Sequence, residues 1–285
     1  MPNFWSADEI EALRNALSLL QIRGRLANVA TDNDGETHTE VARNLQLCPL
    51  SPELPIFRSL PFDEQVSYSL AQLLCDDADD PDESVYCYLS QTFWKPARHG
   101  LGTGYHQDNA YFEVEHAHRG TAMWTAIHDA TVENGCLHVA NGYWNKGILD
   151  HRRDLTSDHH ITCVDSIDPA DEVPVELAAG GVAFFNYNVP HRTGPNETDT
   201  PRAGIAYHFL HGAHYRERAF PLPEDCDYRT PVVHGRGATN GAAEYGENVN
   251  TFGADVAAMC AVDLDAERAA HAGAGPRTVV QDQDS

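Results

Sequence analysis

Basic side chains are scarce in this sequence. Its 285 residues include 19 lysines and arginines against 43 aspartates and glutamates, which gives a formal net charge of −24 at pH 7. Such an excess of carboxylates repels phosphate backbones, so we do not expect nucleic acid as a partner. One dense acidic run, at residues 76–83, is typical of a solvated loop. We hypothesise that the overall acidity reflects a salt-rich cytoplasm, where carboxylates keep a protein surface hydrated.

Long apolar segments and paired cysteine motifs are also missing. No apolar run approaches the roughly 18 residues needed to cross a bilayer, and the N-terminus leads into a helical pattern instead of a secretory signal. The seven cysteines form no C-x-x-C pair, and their odd number and spacing indicate neither a zinc site nor a disulfide framework. We therefore expect a cytoplasmic protein with reduced thiols and no membrane partner.

Apolar residues are abundant enough for a large core, since 42% of the chain is hydrophobic. Near the N-terminus, Ser6-Ala7-Asp8-Glu9 matches a helical capping box, and apolar residues follow it at helical spacing. These features predict a helix over about residues 7–21. A second amphipathic pattern predicts another helix near residues 62–75.

From residue 85 the pattern changes to short stretches of β-branched and aromatic residues separated by turn residues. This alternation is typical of an antiparallel sandwich or small barrel. The predicted strands are residues 85–94, 121–130, 136–140, 160–164, 182–187 and 202–211. We find no internal repeat or domain boundary and predict one domain over 1–285, mainly β with flanking helices (α+β). It has a helical part to about residue 80, a β core over about 85–215, and an irregular tail from residue 229.

The most informative of the sixteen histidines lies in His106-Gln107-Asp108. In an extended segment, residues i and i+2 point to the same side, so an imidazole and a carboxylate project together there. Two such ligands, completed by a distant histidine, form the facial triad of non-haem Fe(II) oxygenases. His191 is the best candidate for the third ligand because it follows the apolar strand at residues 181–187. An H-x-D pattern alone is weak, since it arises often by chance.

Arg202 begins the next apolar strand after His191. Its planar guanidinium can bind a carboxylate through two parallel hydrogen bonds, which suits a dicarboxylate co-substrate beside a metal. An ion pair with one of the many acidic side chains is the alternative. Spacing alone leaves both roles open.

The ordered set of motifs around these residues resembles the phytanoyl-CoA dioxygenase (PhyH) family of Fe(II)/2-oxoglutarate-dependent oxygenases. The motifs are Phe93-Trp94-Lys95-Pro96, Gly104-Tyr105-His106-Gln107-Asp108-Asn109-Ala110-Tyr111-Phe112, Met123-Trp124-Thr125-Ala126, Glu133-Asn134-Gly135-Cys136-Leu137, and His191-Arg192 followed by Arg202. The resemblance spans about residues 85–215. It implies a double-stranded β-helix (jelly roll, cupin-like), with His106, Asp108 and His191 as Fe(II) ligands and Arg202 bound to the distal carboxylate of 2-oxoglutarate.

The resemblance also suggests residues that line the pocket. Trp124 corresponds to a residue beside 2-oxoglutarate, and Gln91 and Thr200 fall where the family often has further co-substrate contacts; core packing is the alternative for Trp124. The expected substrate contacts are Asn109, Tyr111, Phe112, Asn134 and Arg192. The segment 143–160, which includes Lys146, Arg152, Arg153, His159 and His160, is predicted to be a long loop on the substrate side. Solvent exposure is favoured over a second metal site for His159-His160.

The cofactors implied are Fe(II), 2-oxoglutarate as co-substrate, and O2, with succinate and CO2 as products. Asp108 favours hydroxylation over halogenation, because related halogenases carry a small residue in place of the carboxylate. Desaturation and ring closure stay open. No basic cluster suited to the phosphates of coenzyme A is evident, so we favour a small polar or natural-product substrate. A cupin-type metal enzyme without 2-oxoglutarate and a non-catalytic jelly-roll binding module are the alternatives, and the oligomeric state is not predicted.

Overall fold

The computed structural model describes residues 1–30, 41, 43–80, 82–152, 161–165, 167–215 and 228–272, with the backbone alone at 153 and 277–278. Its helices are α1 (Ala7–Ile22), α2 (Pro55–Ser59), α3 (Glu64–Leu74), α4 (Asn109–Phe112), α5 (Ala242–Tyr245), α6 (Phe252–Cys260) and α7 (Leu264–Ala270). Its strands are β1 (Ala27–Asn28), β2 (Leu45–Leu47), β3 (Ser84–Lys95), β4 (Thr103–His106), β5 (Gly120–Ala126), β6 (Leu137–Ala140), β7 (His151–Arg153), β8 (Ile161–Cys163), β9 (Glu172–Val175), β10 (Val182–Asn186), β11 (His191–Thr193), β12 (Arg202–His211), β13 (Val232–Gly235) and β14 (Arg277–Thr278).

Both predicted helices are confirmed. The first is α1, where the side chain of Ser6 accepts a hydrogen bond from the Glu9 N–H and the Glu9 carboxylate accepts one from the Ser6 N–H. This reciprocal capping satisfies two of the amide groups that the first turn of a helix leaves unpaired. The second is α3, which begins slightly later than predicted because residues 60–62 form a separate 3-10 turn.

Two sheets form the centre of the molecule, and their strand pairs are antiparallel except for β1 and β14, which are parallel. The larger has the order β10-β5-β12-β3-β2-β1-β14, with β13 also paired to β3, and the smaller has the order β4-β11-β6-β9. Strands β7 and β8 make a separate hairpin. Facing sheets with these crossovers make a jelly roll, so the predicted fold and its flanking helices are confirmed. Each predicted strand corresponds to an observed one, although β5 ends at Ala126 and not at residue 130.

Strand β12 shows how the larger sheet divides core from cavity. Along it, alternate residues such as Ile205 and Tyr207 pack in the main hydrophobic core with Leu13 and Leu17 of α1. The residues between them point toward the smaller sheet. Because both faces are covered, every residue of β12 is buried.

The prediction of an irregular tail is wrong for residues 242–270, which contain α5, α6 and α7. Helix α6 packs against α1, and its first residue, Phe252, is buried with its ring 5.3 Å from that of Trp5. The alanine- and glycine-rich sequence hid these helices because it has little amphipathic periodicity. Among the helices in the described ranges, none is long and apolar enough to span a bilayer.

Candidate active site

Three predicted metal ligands come together at the edge of the smaller sheet. Strand β4 ends at His106, and β11 begins at His191, which lies directly opposite His106 in the antiparallel register. Asp108 follows at the turn into α4, and its Oδ1 lies 3.6 Å from Nε2 of His191. One ligand atom from each of the three residues lies within 4.8 Å of the others, and all three side chains are buried. This spacing is suited to a single ion held on one side by the protein.

Backbone carbonyls set the tautomer of both imidazoles. Nδ1 of His106 lies 3.1 Å from the Gly104 oxygen, and Nδ1 of His191 lies 3.0 Å from the Val189 oxygen. Because a carbonyl oxygen only accepts, each Nδ1 carries the proton and each Nε2 presents a lone pair to the site. Burial lowers the pKa of His106 to about 3, with His191 adding to the effect, and burial lowers the pKa of His191 to about 4. Both rings are therefore neutral at pH 7, as metal binding requires.

A second group of possible ligands, Cys75, Glu83 and His211, does not fit a metal as well. Nδ1 of His211 accepts a hydrogen bond from the Ala213 N–H at 3.2 Å, so the ring proton is on Nε2, which faces the Glu83 carboxylate at 3.4 Å. Burial, with Glu83 adding to the effect, raises the pKa of the Cys75 thiol to about 12. The three side chains form a hydrogen-bonded network with no lone pair on His211 for an ion.

A cavity of about 400 Å³ lies between the two sheets and contains the triad. Its walls come mainly from the inward-facing residues of β3, β5 and β12 on one side and of β4, β6 and β11 on the other. The lining residues are Val29, Asn44, Gln46, Cys48, Leu89, Gln91, Phe93, Lys95, Thr103, His106, Asp108, Tyr111, Phe112, Ala122, Trp124, Leu137, Phe185, His191, Thr193, Arg202, Ala206 and His208.

Arg202 is fully buried on the wall of this cavity. Its Nη2 donates to the carbonyl oxygen of Gly135, but Nε and Nη1 have no hydrogen-bond partner among the described residues. Burial lowers the pKa of the guanidinium to about 10, so it stays charged at pH 7. No ion pair joins it to an acidic side chain in the described ranges. A buried cation with unpaired N–H groups is costly unless an anion binds there, so the pocket suits a carboxylate ligand.

The other predicted co-substrate contacts have different positions. Trp124 lines the cavity, with the Arg202 guanidinium 5.7 Å from the centre of its ring. Gln91 also lines the cavity, and its Nε2 lies 3.1 Å from Nε2 of His208. Thr200 does not: it is exposed in the loop before β12. The threonines on the cavity wall are Thr103 and Thr193. Strand alternation could have identified Thr193, because it lies two residues after His191.

The expected substrate contacts also divide into two groups. Tyr111 and Phe112 line the cavity. Asn109, Asn134 and Arg192 do not line it. Each of these three has another structural role, described below.

Asn109 hydrogen-bonds the backbone N–H and carbonyl of Val114, and so holds the turn after α4. Asn134 makes the same kind of contact with backbone groups of the turn before β6. Arg192 forms a bidentate ion pair with Glu172. It points away from the cavity because it is one residue removed from His191 along β11.

The segment 143–160 was expected to form the substrate side of the pocket. None of its described residues, 143–152, lines the cavity, and Lys146 instead lies over the ring of Tyr143. Arg152 is exposed, while the side chain of Arg153 and residues His159 and His160 lie outside the described part of the chain.

The N-terminal segment also lines the cavity, through residues at β1 and β2 that include Asn44 and Gln46. The side-chain Nδ2 of Asn44 is buried and has no hydrogen-bond partner in the described ranges. No sequence motif identified these residues, because β1 and β2 are too short for a periodic pattern.

A jelly roll that carries two histidines and an aspartate on one side of a cavity, with a buried arginine on the same cavity, defines the class of non-haem Fe(II) oxygenases that use an acidic co-substrate. The sequence profile of the phytanoyl-CoA dioxygenase (PhyH) family matches residues 1–204. The chain therefore belongs to this family of Fe(II)/2-oxoglutarate-dependent oxygenases. The match extends the resemblance into the N-terminal 80 residues, where the motifs had given no indication of it.

Several relatives align with parts of this chain. Phytanoyl-CoA dioxygenase domain-containing protein 1 of Mus musculus is 27% identical over 164 residues, which are 56% of this chain and 54% of the relative. Methylphosphonate hydroxylase of Gimesia maris is 32% identical over 103 residues, 36% of this chain and 37% of the relative. The chain thus aligns with about half of the mouse protein and with less of the bacterial one.

Solved structures agree with the fold. EvdO2 from Micromonospora carbonacea var. aurantiaca, crystallised with 2-oxoglutarate, is 25% identical, with a TM-score of 0.55 over 78% of this chain and 89% of that one. EctD from S. alaskensis, crystallised with 2-oxoglutarate and 5-hydroxyectoine, is 21% identical, with a TM-score of 0.55 over 84% of this chain and 79% of that one.

Proposed function

We propose that this protein is an Fe(II)/2-oxoglutarate-dependent dioxygenase that hydroxylates a small polar or natural-product substrate and releases succinate and CO2. The observation that carries the proposal is the pair of unpartnered N–H groups on the buried Arg202 guanidinium, on the same cavity wall as the triad. A metal site alone would not need this cation. A dicarboxylate that binds metal at one end requires a positive charge for its other end.

Each residue of the site would have a distinct task. His106, Asp108 and His191 would hold Fe(II) through Nε2, a carboxylate oxygen and Nε2. Arg202 would bind the distal carboxylate of 2-oxoglutarate, beside Trp124. When bound, the iron together with 2-oxoglutarate and O2 supplies the oxidising chemistry that converts a C–H bond to C–OH. The protein contributes the position of that bond and a largely apolar pocket that excludes competing reactions.

The carboxylate at position 108 supports hydroxylation over halogenation. Its Oδ1 lies 3.6 Å from Nε2 of His191, so the carboxylate occupies the ligand position that a halide would need. Desaturation or ring closure would use the same residues, and the identity of the product distinguishes these outcomes from hydroxylation.

The size and lining of the cavity favour a small substrate with a polar group that is uncharged or anionic. Its volume of about 400 Å³ is near the lower end of the usual range for ligand sites, roughly 300–1,000 Å³. Of the acidic side chains in the described ranges, Asp108 alone lines it, so the pocket offers nothing further to pair with a cationic substrate. The buried Asn44 amide can donate a hydrogen bond to a substrate oxygen.

Anaerobic titration with Fe(II) and 2-oxoglutarate tests the cofactor assignment. We expect a weak visible charge-transfer band with the wild type and none with His106→Ala or His191→Ala. In Arg202→Met the affinity for 2-oxoglutarate should fall by about 30-fold or more, since a buried charged pair loses one partner, while the metal still binds. The matched control is Arg98→Met at a surface arginine paired with Asp199, which should bind 2-oxoglutarate like the wild type. Equal affinity in Arg202→Met would refute the assigned role.

Succinate formation tests the activity itself. With Fe(II), 2-oxoglutarate and O2 present, the true substrate should raise the rate of succinate release above the uncoupled background, and mass spectrometry should detect a product heavier by one oxygen atom. We would screen small oxygen-rich compounds first and cationic amines as the contrasting set. Stimulation by the amines alone would contradict the proposed substrate class.

A further inference from the structure

We propose that His208, oriented by Gln91, holds the second carboxylate oxygen of Asp108 and so keeps this metal ligand bound through one oxygen only. The proposal deepens the proposed function, because it concerns the same metal site. His208 would be a positioning residue, since it acts on the metal through Asp108.

The two oxygens of Asp108 have different neighbours. Oδ1 lies 3.6 Å from Nε2 of His191, on the side where the ligand atoms converge. Oδ2 lies 3.7 Å from Nδ1 of His208. Both Oδ2 and this Nδ1 are buried and have no hydrogen-bond partner within the described ranges. Two buried polar atoms that face each other are complementary only if the nitrogen carries a proton, because otherwise two lone pairs would meet.

Gln91 determines which ring nitrogen of His208 carries the proton. Its amide Nε2 lies 3.1 Å from Nε2 of His208. An amide nitrogen only donates, so the ring Nε2 accepts, and the proton of the imidazole is on Nδ1, toward Asp108. The reversed amide would place the ring proton on Nε2 and leave a lone pair on Nδ1 against the carboxylate. The orientation found here makes Gln91, His208 and Asp108 complementary as donors and acceptors.

The fold fixes this arrangement from two neighbouring strands. Gln91 lies on β3 and His208 on β12, and the antiparallel pairing of these strands places Gln91 opposite Ala206, one inward position from His208. His208 is 2% exposed, and its ring packs 5.0 Å from that of Phe112. A small rotation of the Asp108 carboxylate would shorten the 3.7 Å separation to a hydrogen bond of about 2.9 Å.

The consequence concerns the coordination sphere. A carboxylate that binds through both oxygens takes two positions on a metal, and a partner that engages one oxygen prevents this. Outer partners of this kind also orient the ligand and typically change metal affinity by about 10–100-fold. The same tautomer argues against His208 as a further metal ligand, because its Nδ1 presents a proton instead of a lone pair.

The experiment measures Mn(II) affinity of the purified protein under anaerobic conditions. We expect His208→Leu to weaken Mn(II) binding by about 10–100-fold. His208→Asn should retain most of the affinity, because its amide N–H can occupy the place of the Nδ1–H group. Gln91→Leu should weaken binding less, and should add nothing in the His208→Leu background, as expected for two residues that act in series.

His211→Leu is the matched control. It removes a buried histidine from the end of the same strand, where the ring faces Glu83 instead of the triad, and Mn(II) affinity should not change. Circular dichroism and thermal melting would show that each variant folds. Wild-type affinity in a folded His208→Leu protein overturns the proposal.

Pulsed EPR of the Cu(II)-loaded protein separates positioning from direct coordination. Signals from coordinated imidazole should be the same in the wild type and in His208→Leu, because His106 and His191 are present in both. Loss of one imidazole signal in the variant overturns the positioning role and makes His208 a ligand.

Anaerobic titration with Fe(II) and 2-oxoglutarate distinguishes a failure of the proposed function from a failure of the role proposed for His208. If the wild type shows no charge-transfer band, the proposed function fails; if it does and His208→Leu binds Mn(II) normally, only this inference fails.

Discussion

Nδ1 of His106 lies against the carbonyl oxygen of Gly104, whereas Nδ1 of His128 accepts a hydrogen bond from the backbone N–H of Ala203 at 3.1 Å. The first contact leaves the Nε2 lone pair for a metal, and the second places the ring proton on Nε2. The number of histidines in the sequence therefore says little about which of them can bind a metal. The partner of the second ring nitrogen decides which histidine can be a ligand.

His128 gives the first prediction, which concerns acid stability. Burial, with smaller effects from Arg14 and Arg202, lowers its pKa from 6.5 to about 4. Between these two values the unfolded chain binds a proton that the folded chain does not, so the free energy of unfolding falls as the pH falls from 6.5 to 4. His128→Asn keeps an acceptor for the Ala203 N–H but does not titrate. Its stability should depend on pH less steeply, by up to about one proton.

Urea unfolding of the metal-free protein between about pH 7 and pH 5 measures this dependence. The wild-type free energy of unfolding should fall more steeply than that of H128N as the pH is lowered. Parallel curves would show that the burial of His128 does not contribute to acid sensitivity.

The sequence could identify site residues whose spacing carries the chemistry. His106 and Asp108 are two positions apart, and alternation along a strand turns both toward one space. His191 and Arg202 stood beside apolar strands, and the structure places both on the same cavity as the pair. Asn44 could not be identified in this way, because its role depends on long-range packing and not on a local pattern.

At the scale of secondary structure, β12 serves both the site and the core. Arg202, Gly204, Ala206 and His208 face the cavity side, and the residues between them pack in the hydrophobic core. This strand does not alternate between apolar and polar residues, because both of its faces are covered. The position of β12 was predictable from composition, but which of its residues face the cavity and which face the core was not.

Gly204 gives the second prediction. A Cβ atom added there would lie 2.6 Å from Cζ2 of Trp124, so the indole would have to move from its place beside Arg202. We expect Gly204→Ala to weaken 2-oxoglutarate binding by about 10-fold, since overpacking commonly costs about 1–3 kcal/mol. Mn(II) affinity should be retained. Isothermal titration of the metal-free protein with Mn(II), and of the Mn(II)-loaded protein with 2-oxoglutarate, measures the two affinities.

The control is Gly253→Ala in α6, where an added Cβ has no atom within 4 Å. It should leave both affinities unchanged. If Gly204→Ala bound 2-oxoglutarate as tightly as the wild type, the position of the indole would not matter for the pocket.

At the scale of the whole molecule, segments distant in sequence are packed together. The C-terminal α6 lies on α1, and the side chain of Asn15 donates to the carbonyl oxygen of Met259 at 3.2 Å. The family match ends at residue 204, before these helices. The third prediction is therefore that this region contributes to global stability.

Phe252→Ala should lower the free energy of unfolding by about 3–4 kcal/mol, because it removes a fully buried ring from the core beside Trp5. Ala257→Ser, at an exposed position of the same helix, is the control and should change stability by less than about 0.5 kcal/mol. Chemical denaturation monitored by tryptophan fluorescence measures both variants. A normal midpoint for F252A would mean that α6 is attached without stabilising the core.

The net charge of −24 is a property of the whole chain and gives the fourth prediction. Mutual repulsion of carboxylates opposes the compact state, and salt reduces it because the screening length falls from about 10 Å at 0.1 M to about 3 Å at 1 M. The melting temperature should therefore rise with added NaCl. Most of the rise should occur below about 0.5 M, where screening changes most with concentration.

The choice of salt separates screening from effects on apolar hydration. Screening depends on ionic strength, so NaCl and KCl should stabilise equally at low concentration. An effect through apolar burial would instead grow steadily with concentration and be much stronger for sulfate. If the melting temperature were constant up to 0.5 M NaCl and then rose only with sulfate, repulsion among the acidic side chains would not limit stability.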